Sequence, residues 1–176
     1  MTHAPPLAMA PGGHAPEPHV PVFTGEARRQ LDELLTRYPT KMAALLPALW
    51  IVQDSRGWVS DGSMAEVAEL LDLTPAYVKG VVTFYYMYHQ HPVGKYFIQV
   101  CTTSPCAIRG AEDVVKSLLK HTRCGELGTT SPDGKFTVIE VECLGACGFA
   151  TPIMVNSEFI ESVTPDGVPD LLARFE

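Results

Sequence analysis

Two short stretches decide how this chain reads: Cys101-Thr102-Thr103-Ser104-Pro105-Cys106 and Cys143-Leu144-Gly145-Ala146-Cys147. Each follows a run of strand-forming residues, about Lys95 to Val100 before the first and Lys135 to Glu142 before the second. Four thiols in two close pairs suit a soft metal centre, either a zinc ion or an iron–sulfur cluster. Four-cysteine zinc sites usually draw on Cys-x2-Cys knuckles, whereas these loops hold four and three residues between their thiols. The wider spacing favours a binuclear cluster, because the loops must also enclose bridging sulfides. The simplest assignment puts Cys101 and Cys106 on one iron and Cys143 and Cys147 on the other. Spacing alone leaves a structural zinc ribbon open. Disulfides rank lower, since nothing else in the chain looks secreted.

The residues around the thiols agree with a buried anionic group, which needs nearby donors to offset its desolvation. Gly145, Ala146 and Gly148 let the backbone approach sulfur, and Thr102, Thr103 and Ser104 offer hydroxyls. No acidic residue lies inside either loop, although Glu140 and Glu142 precede the second. After Arg109-Gly110 the apolar positions Val114, Val115, Leu118 and Leu119 predict a helix over about 111–120. Its N-terminus would lie near the first loop, where a helix dipole eases negative charge by ~0.3–1 kcal/mol, and Arg109 acts in the same direction. Cys124 is distant in sequence from both pairs and reads as a free thiol.

The segments CTTSPCAIRG (101–110) and ECLGACGFATPIMVN (142–156), with GVVTFYYMYHQHPVGKY (80–96) upstream, resemble the thioredoxin-like [2Fe-2S] ferredoxin family. That family includes a small subunit of the NADH-oxidising arm of respiratory complex I. The resemblance covers about residues 25–176 and is most specific in the cysteine loops. It implies one [2Fe-2S] cluster on Cys101, Cys106, Cys143 and Cys147, and an α/β (α+β) architecture in which a thioredoxin-like [2Fe-2S] domain is preceded by a small helical bundle. It further implies an electron-transfer subunit of NADH:quinone oxidoreductase that exchanges single electrons with a flavin. FMN and NADH would then sit only on the partner, the flavin- and NADH-binding subunit of the same complex. Similar subunits serve NAD-linked hydrogenases and formate dehydrogenases. From a different class, a zinc-stabilised interaction module is the alternative, and a homodimer is left open for the isolated chain. The thioredoxin Cys-x2-Cys dipeptide is missing, so thiol–disulfide exchange is not expected.

Composition narrows the classes further. The 176 residues are 46% hydrophobic and carry a formal net charge of −7; nucleic acid is not an expected partner, because phosphate binding needs a basic face. The longest apolar run, residues 42–52, falls short of the ~20 residues of a membrane-spanning helix, so no direct membrane insertion is expected. With neither a secretory nor a transit signal, the expectation is a cytoplasmic protein, and the resemblance implies one peripheral to the inner membrane as part of a complex. The chain has no Ser-His-Asp arrangement, phosphate-binding glycine loop or GxGxxG, and so no catalytic residues and no autonomous active site are expected beyond the redox cluster.

Residues 1–21, rich in Pro, Ala and Gly, read as a disordered tail in which His3, His14 and His19 have no assigned role. Residues 22–92 read as a helical bundle and 93–176 as the cluster domain. Thr24 is placed to cap a first helix with Leu31, Leu34, Leu35 and Tyr38 inward. A second helix is predicted over about 41–54, with Met42, Leu45, Leu46, Leu49 and Val52 or Gln53 inward, Pro47 kinking it and Gly57 ending it. Trp50 and Trp58 read as core. Ser63-x-x-Glu66 reads as a capping box before a third helix bearing Val67, Leu70 and Leu71. Thr74-Pro75 opens a fourth, with Tyr77, Val78, Val81 and Tyr85 apolar. The aromatics from Phe84 to Tyr88 read as core, with a seam or a partner surface as alternatives, and His89 and His91 read as boundary residues. In the second half, Tyr96, Ile98 and Val100 are expected on one face of a strand, and Ile139 and Val141 inward on the next. A turn at Ser131-Pro132-Asp133-Gly134, a hairpin over 151–163 and a helix over 166–175 complete the pattern.

Overall fold

The computed structural model describes residues 19–175. It divides after Gln90 into two units, each with its own core. The first unit is helical, built from α1 (Gly25–Arg37), α2 (Leu45–Arg56), α3 (Asp61–Leu70) and α4 (Pro75–Phe84). Leu31 of α1 is buried and Leu34 and Leu35 pack beside it, but Tyr38 stands past the helix end and is exposed. Thr24 occupies the N-cap position without a side-chain cap bond. The expected long second helix starts instead as a 3-10 turn at Lys41–Ala44, capped by the Thr40 hydroxyl. Met42 is thereby left exposed. Pro47 falls in the first turn of α2, where its missing N–H has no intrahelical partner to lose. Gly57 closes α2 in the left-handed conformation (φ 79°), donating to the Gln53 carbonyl at 2.6 Å. Gln53 is buried and useful there: its amide donates to Met87 O at 3.0 Å and accepts from His89 N at 2.7 Å. Trp50 is exposed, with its ring 5.7 Å from the Tyr88 ring.

The capping of α3 differs from the expected box. Ser60, three residues earlier, is the N-cap, and its hydroxyl accepts from Ser63 N at 3.2 Å. Glu66 is thus inside the helix and takes on another task. Its carboxylate accepts from Val22 N (2.8 Å) and Phe23 N (2.9 Å) and meets His19 Nε2 at 3.0 Å. Arg56 donates to the carbonyls of Val20 and Pro21, so His19, Val20 and Pro21, read from composition as tail, are held; the rest of that segment, with His3 and His14, lies outside the described residues. Val22 and Phe23 are buried in the helical core. Glu66→Ala is expected to weaken this unit by about 1.5–3 kcal/mol, the range for hydrogen bonds to a charged group; a urea or thermal denaturation midpoint equal to the parent's would refute the clamp.

Of the aromatic run only Tyr88 is core, at 3% exposure, with its hydroxyl on Leu46 O at 2.9 Å. Burial, reinforced by Tyr85, pushes its pKa up to about 12. Phe84 and Tyr86 are more than 70% exposed, which corrects the expectation of a buried cluster.

The second unit is an α+β layer. Strands β1 (Tyr96–Cys101), β2 (Phe136–Val141), β3 (Ile153–Val155) and β4 (Glu158–Ile160) form one sheet in the order β2-β1-β3-β4. β1 pairs parallel with β2 and antiparallel with β3, and β3 turns back on β4. Between β1 and β2 run the short helix α5 (Ser104–Ile108) and then α6 (Ala111–Thr122); α7 (Val168–Leu172), flanked by 3-10 turns rather than one continuous helix, closes the unit. The core gathers Ile98, Val100, Val114, Leu118, Val138 and Ile153 with α7. On β2 the first three positions, Phe136, Thr137 and Val138, are all buried, while Ile139 and Val141, expected inward, are only partly covered, so burial follows position along the strand rather than alternation. At the hairpin, Asn156 takes φ 53°, its side chain accepting from Phe97 N and donating to Lys95 O. In the Ser131–Gly134 turn the Ser131 hydroxyl and the Lys135 amide hold the Asp133 carboxyl below its usual range.

Candidate metal centre

Parallel pairing sets the geometry of the cysteines. Cys101 is the last residue of β1 and lies in register with Val141, the last of β2, so both strands run out at the same edge of the sheet. There the chain after β1 turns into α5, which carries Cys106, and the chain after β2 enters the loop with Cys143 and Cys147. Cys106 Sγ stands 3.3 Å from Cys101 Sγ, and the Glu142 carbonyl lies 3.8 Å from Cys101 Sγ. The Leu144 amide also bonds the Cys101 sulfur. The second loop is therefore wrapped against the first. Gly145, at φ 78°, turns its N–H onto Cys143 Sγ at 3.3 Å, a conformation a side chain would strain. Leu144 and Ala150 pack on a small cluster of Cys101, Cys106 and Ala111.

The four thiols differ in exposure. Cys101 and Cys106 are buried, Cys143 and Cys147 exposed. Burial pushes the Cys101 thiol up, but hydrogen bonds from the Thr103 hydroxyl, the Leu144 and Thr103 amides and the Cys106 thiol outweigh it and bring its pKa down to about 7. Cys106 is pushed up to about 12, by burial first, then by its bond to Cys101 and the charges of Cys101, Cys147 and Cys143. The opposite directions follow from the pairing, in which the Cys106 S–H donates to the Cys101 sulfur 3.3 Å away and favours ionisation of Cys101 over Cys106.

Among the described residues, no group of three or more His, Cys, Asp or Glu side chains is arranged to hold a metal ion. A two-iron, two-sulfide group divides four thiolates two and two, so it does not need three to converge on a point. The donor set fits such a group: two thiols on one rigid strand–helix corner, two on a facing loop, and amides of Leu144 and Gly145 directed at sulfur. Arg109 is exposed beyond α5. Cys124 is away from the site, buried in the sheet core with its thiol on Phe136 O at 3.5 Å. Helix α5 is too short for a hydrophobic period to announce it. The signal for it, Thr103-Ser104-Pro105 with a proline in the first turn, is the same one that opens α4 at Thr74-Pro75.

Comparison with known proteins gives the family. The thioredoxin-like [2Fe-2S] ferredoxin family matches residues 31–176. The chain is 38% identical over 154 residues to a subunit of the NADH-quinone oxidoreductase of Pseudomonas aeruginosa, covering 88% of this chain and 92% of that one. It is 37% identical over 162 residues to the mitochondrial NADH dehydrogenase [ubiquinone] flavoprotein 2 of Dictyostelium discoideum; that match covers 90% of this chain but 65% of the relative, so the chain spans less than two thirds of that protein's length. Among solved structures, an NAD+-reducing [NiFe]-hydrogenase superposes with a TM-score of 0.64 at 19% identity, over 75% of this chain and 22% of that one, a likeness of fold. On the extent of the family match and the identity to the Pseudomonas protein, the chain belongs to the thioredoxin-like [2Fe-2S] ferredoxin family.

Proposed function

We propose that Cys101, Cys106, Cys143 and Cys147 hold one [2Fe-2S] cluster and that the chain is the electron-transfer subunit of an NADH:quinone oxidoreductase. The observation that carries this is the meeting, at one sheet edge, of two cysteine loops, with the Glu142 carbonyl 3.8 Å from Cys101 Sγ and Leu144 packed on Cys101 and Cys106, in a chain similar over most of its length to a subunit of an NADH-quinone oxidoreductase. When bound, the cluster supplies one-electron chemistry at a potential set by its charge, hydrogen bonds and exposure. The protein's part is to hold and shade it. The buried pair fixes one side, and the exposed pair leaves the other side near the surface, where electrons can pass to a partner. The amides of Leu144 and Gly145 and the Thr103 hydroxyl offset negative charge on sulfur.

The proposed partner is the flavin- and NADH-binding subunit of the same complex, which keeps FMN and NADH to itself. Among the described residues no helix is long and apolar enough to cross a membrane, in keeping with a proposed peripheral position on the cytoplasmic face. Purified chain is expected to be brown, with two irons and two sulfides per chain and an EPR signal on one-electron reduction. A colourless protein with one zinc per chain would overturn the electron-transfer reading. Co-purification with tagged chain identifies the host: quinone reductase subunits support the proposal, while hydrogenase or formate dehydrogenase subunits replace it.

A further inference from the structure

One buried polar group in the sheet unit has no partner to explain it. Among the described residues, the Thr151 hydroxyl is the buried side-chain oxygen with no hydrogen-bond partner, on a residue 1% exposed. A buried hydroxyl left unpaired is a net loss against valine, which has the same shape and no polar atom. Thr151 lies four residues after Cys147, and its neighbours on both sides belong to the thiol edge. Ala150 packs on the Cys101 and Cys106 cluster, and the Pro152 carbonyl accepts from Cys101 N at 3.3 Å. Thr151's own carbonyl is already engaged by Val163 N at 2.9 Å, while its hydroxyl is unspent.

We infer that the Thr151 hydroxyl donates a hydrogen bond to a sulfur of the group held by Cys101, Cys106, Cys143 and Cys147, and that it raises the group's reduction potential; this rests on the metal content proposed above. A hydroxyl can give or accept, but thiolate and sulfide sulfurs only accept, so the proton points at sulfur. Such a bond stabilises the more negative, reduced state more than the oxidised one, which moves the potential upward. Thr151 is a positioning residue here, holding no iron and touching no substrate.

The test compares iron-loaded parent, Thr151→Val and Thr151→Ser by EPR-monitored redox titration, and by resonance Raman spectroscopy of the Fe–S stretches in H2O and D2O. The valine variant is expected to keep its cluster, to have a lower midpoint potential and to lose part of the deuterium-induced frequency shift. The serine variant is expected to keep the parent's values. Should valine not be tolerated, Thr151→Ala gives the same reading: its midpoint must fall while that of Thr151→Ser does not. Equal midpoints and equal deuterium response in loaded parent and hydroxyl-free variant overturn this inference alone. A parent chain that binds no iron overturns the proposed metal content, and this inference with it.

Discussion

Cys106→Ser is expected to purify colourless, with iron reduced to a small fraction of the parent's, while Cys124→Ser keeps the parent's visible spectrum. The difference follows from where the two thiols sit. Cys106 is 1% exposed, on α5, 3.3 Å from the Cys101 sulfur. A serine there offers a hard, poorly ionised oxygen where a soft thiolate is wanted, and its burial shuts out water as a replacement ligand. Losing a group that merely orients a ligand already costs roughly 10–100-fold in metal affinity, and losing a buried ligand itself costs more. Cys147 is exposed, so in Cys147→Ser a solvent oxygen can complete the iron, and a weaker but measurable load is expected. The order of iron content is therefore Cys124→Ser equal to parent, Cys147→Ser intermediate, Cys106→Ser least. Bleaching by Cys124→Ser alone would show that the ligand set is wrong.

That ranking depends on features the sequence discloses unevenly. The loops, their flanking strands and the free Cys124 are all legible, because ligand spacing and β-branched runs are local signals. The burial of β2 is not. In Phe136-Thr137-Val138-Ile139-Glu140-Val141 the charged Glu140 suggests that the odd positions face inward. Yet Glu140 is exposed because it stands near the strand end, whereas Phe136 and Val138 on the same face are in the core. Although β2 is an edge strand, its first half is buried on both faces, at Phe136 and Val138 on one and Thr137 on the other, so alternation carries little information there.

The helical unit shows a similar limit. Ser60 and Ser63 are both acceptable caps three residues apart, and the choice is made by Glu66, which is drawn to the amides of Val22 and Phe23 far away in sequence. Likewise the run from Phe84 to Tyr88 has the composition of a core, but α4 ends at Phe84 and the chain beyond it turns only Tyr88 inward. The amides of Leu144 and Gly145 at sulfur are a property of loop conformation, and no residue type announces them.

Gly94→Ala is expected to be the most damaging single-methyl change in the sheet unit. From sequence, Pro92-Val93-Gly94 marks only the end of the helical pattern. In the fold, a Cβ on Gly94 would stand 2.7 Å from the Phe136 carbonyl carbon and 2.8 Å from Lys135 O and Phe136 N. All three are backbone atoms at the entry to β2, where no side chain can rotate away. The same stretch is tied down on every side: Gly94 N donates to the Thr137 hydroxyl at 2.8 Å, Lys95 N to Gly134 O and Tyr96 N to Lys135 O. Relief must come from parting β1 and β2 at their start, which strains each of those bonds. Overpacking of this kind costs about 1–3 kcal/mol, and the upper end applies where backbone meets backbone. Because the same pairing delivers Cys101 and the second loop to one edge, iron retention on warming should fall together with the denaturation midpoint. A Gly94→Ala chain within about 0.5 kcal/mol of the parent, the spread of ordinary surface changes, would mean that β1 and β2 do not approach as closely as described. The shared-edge account of the metal centre would then lose its structural basis.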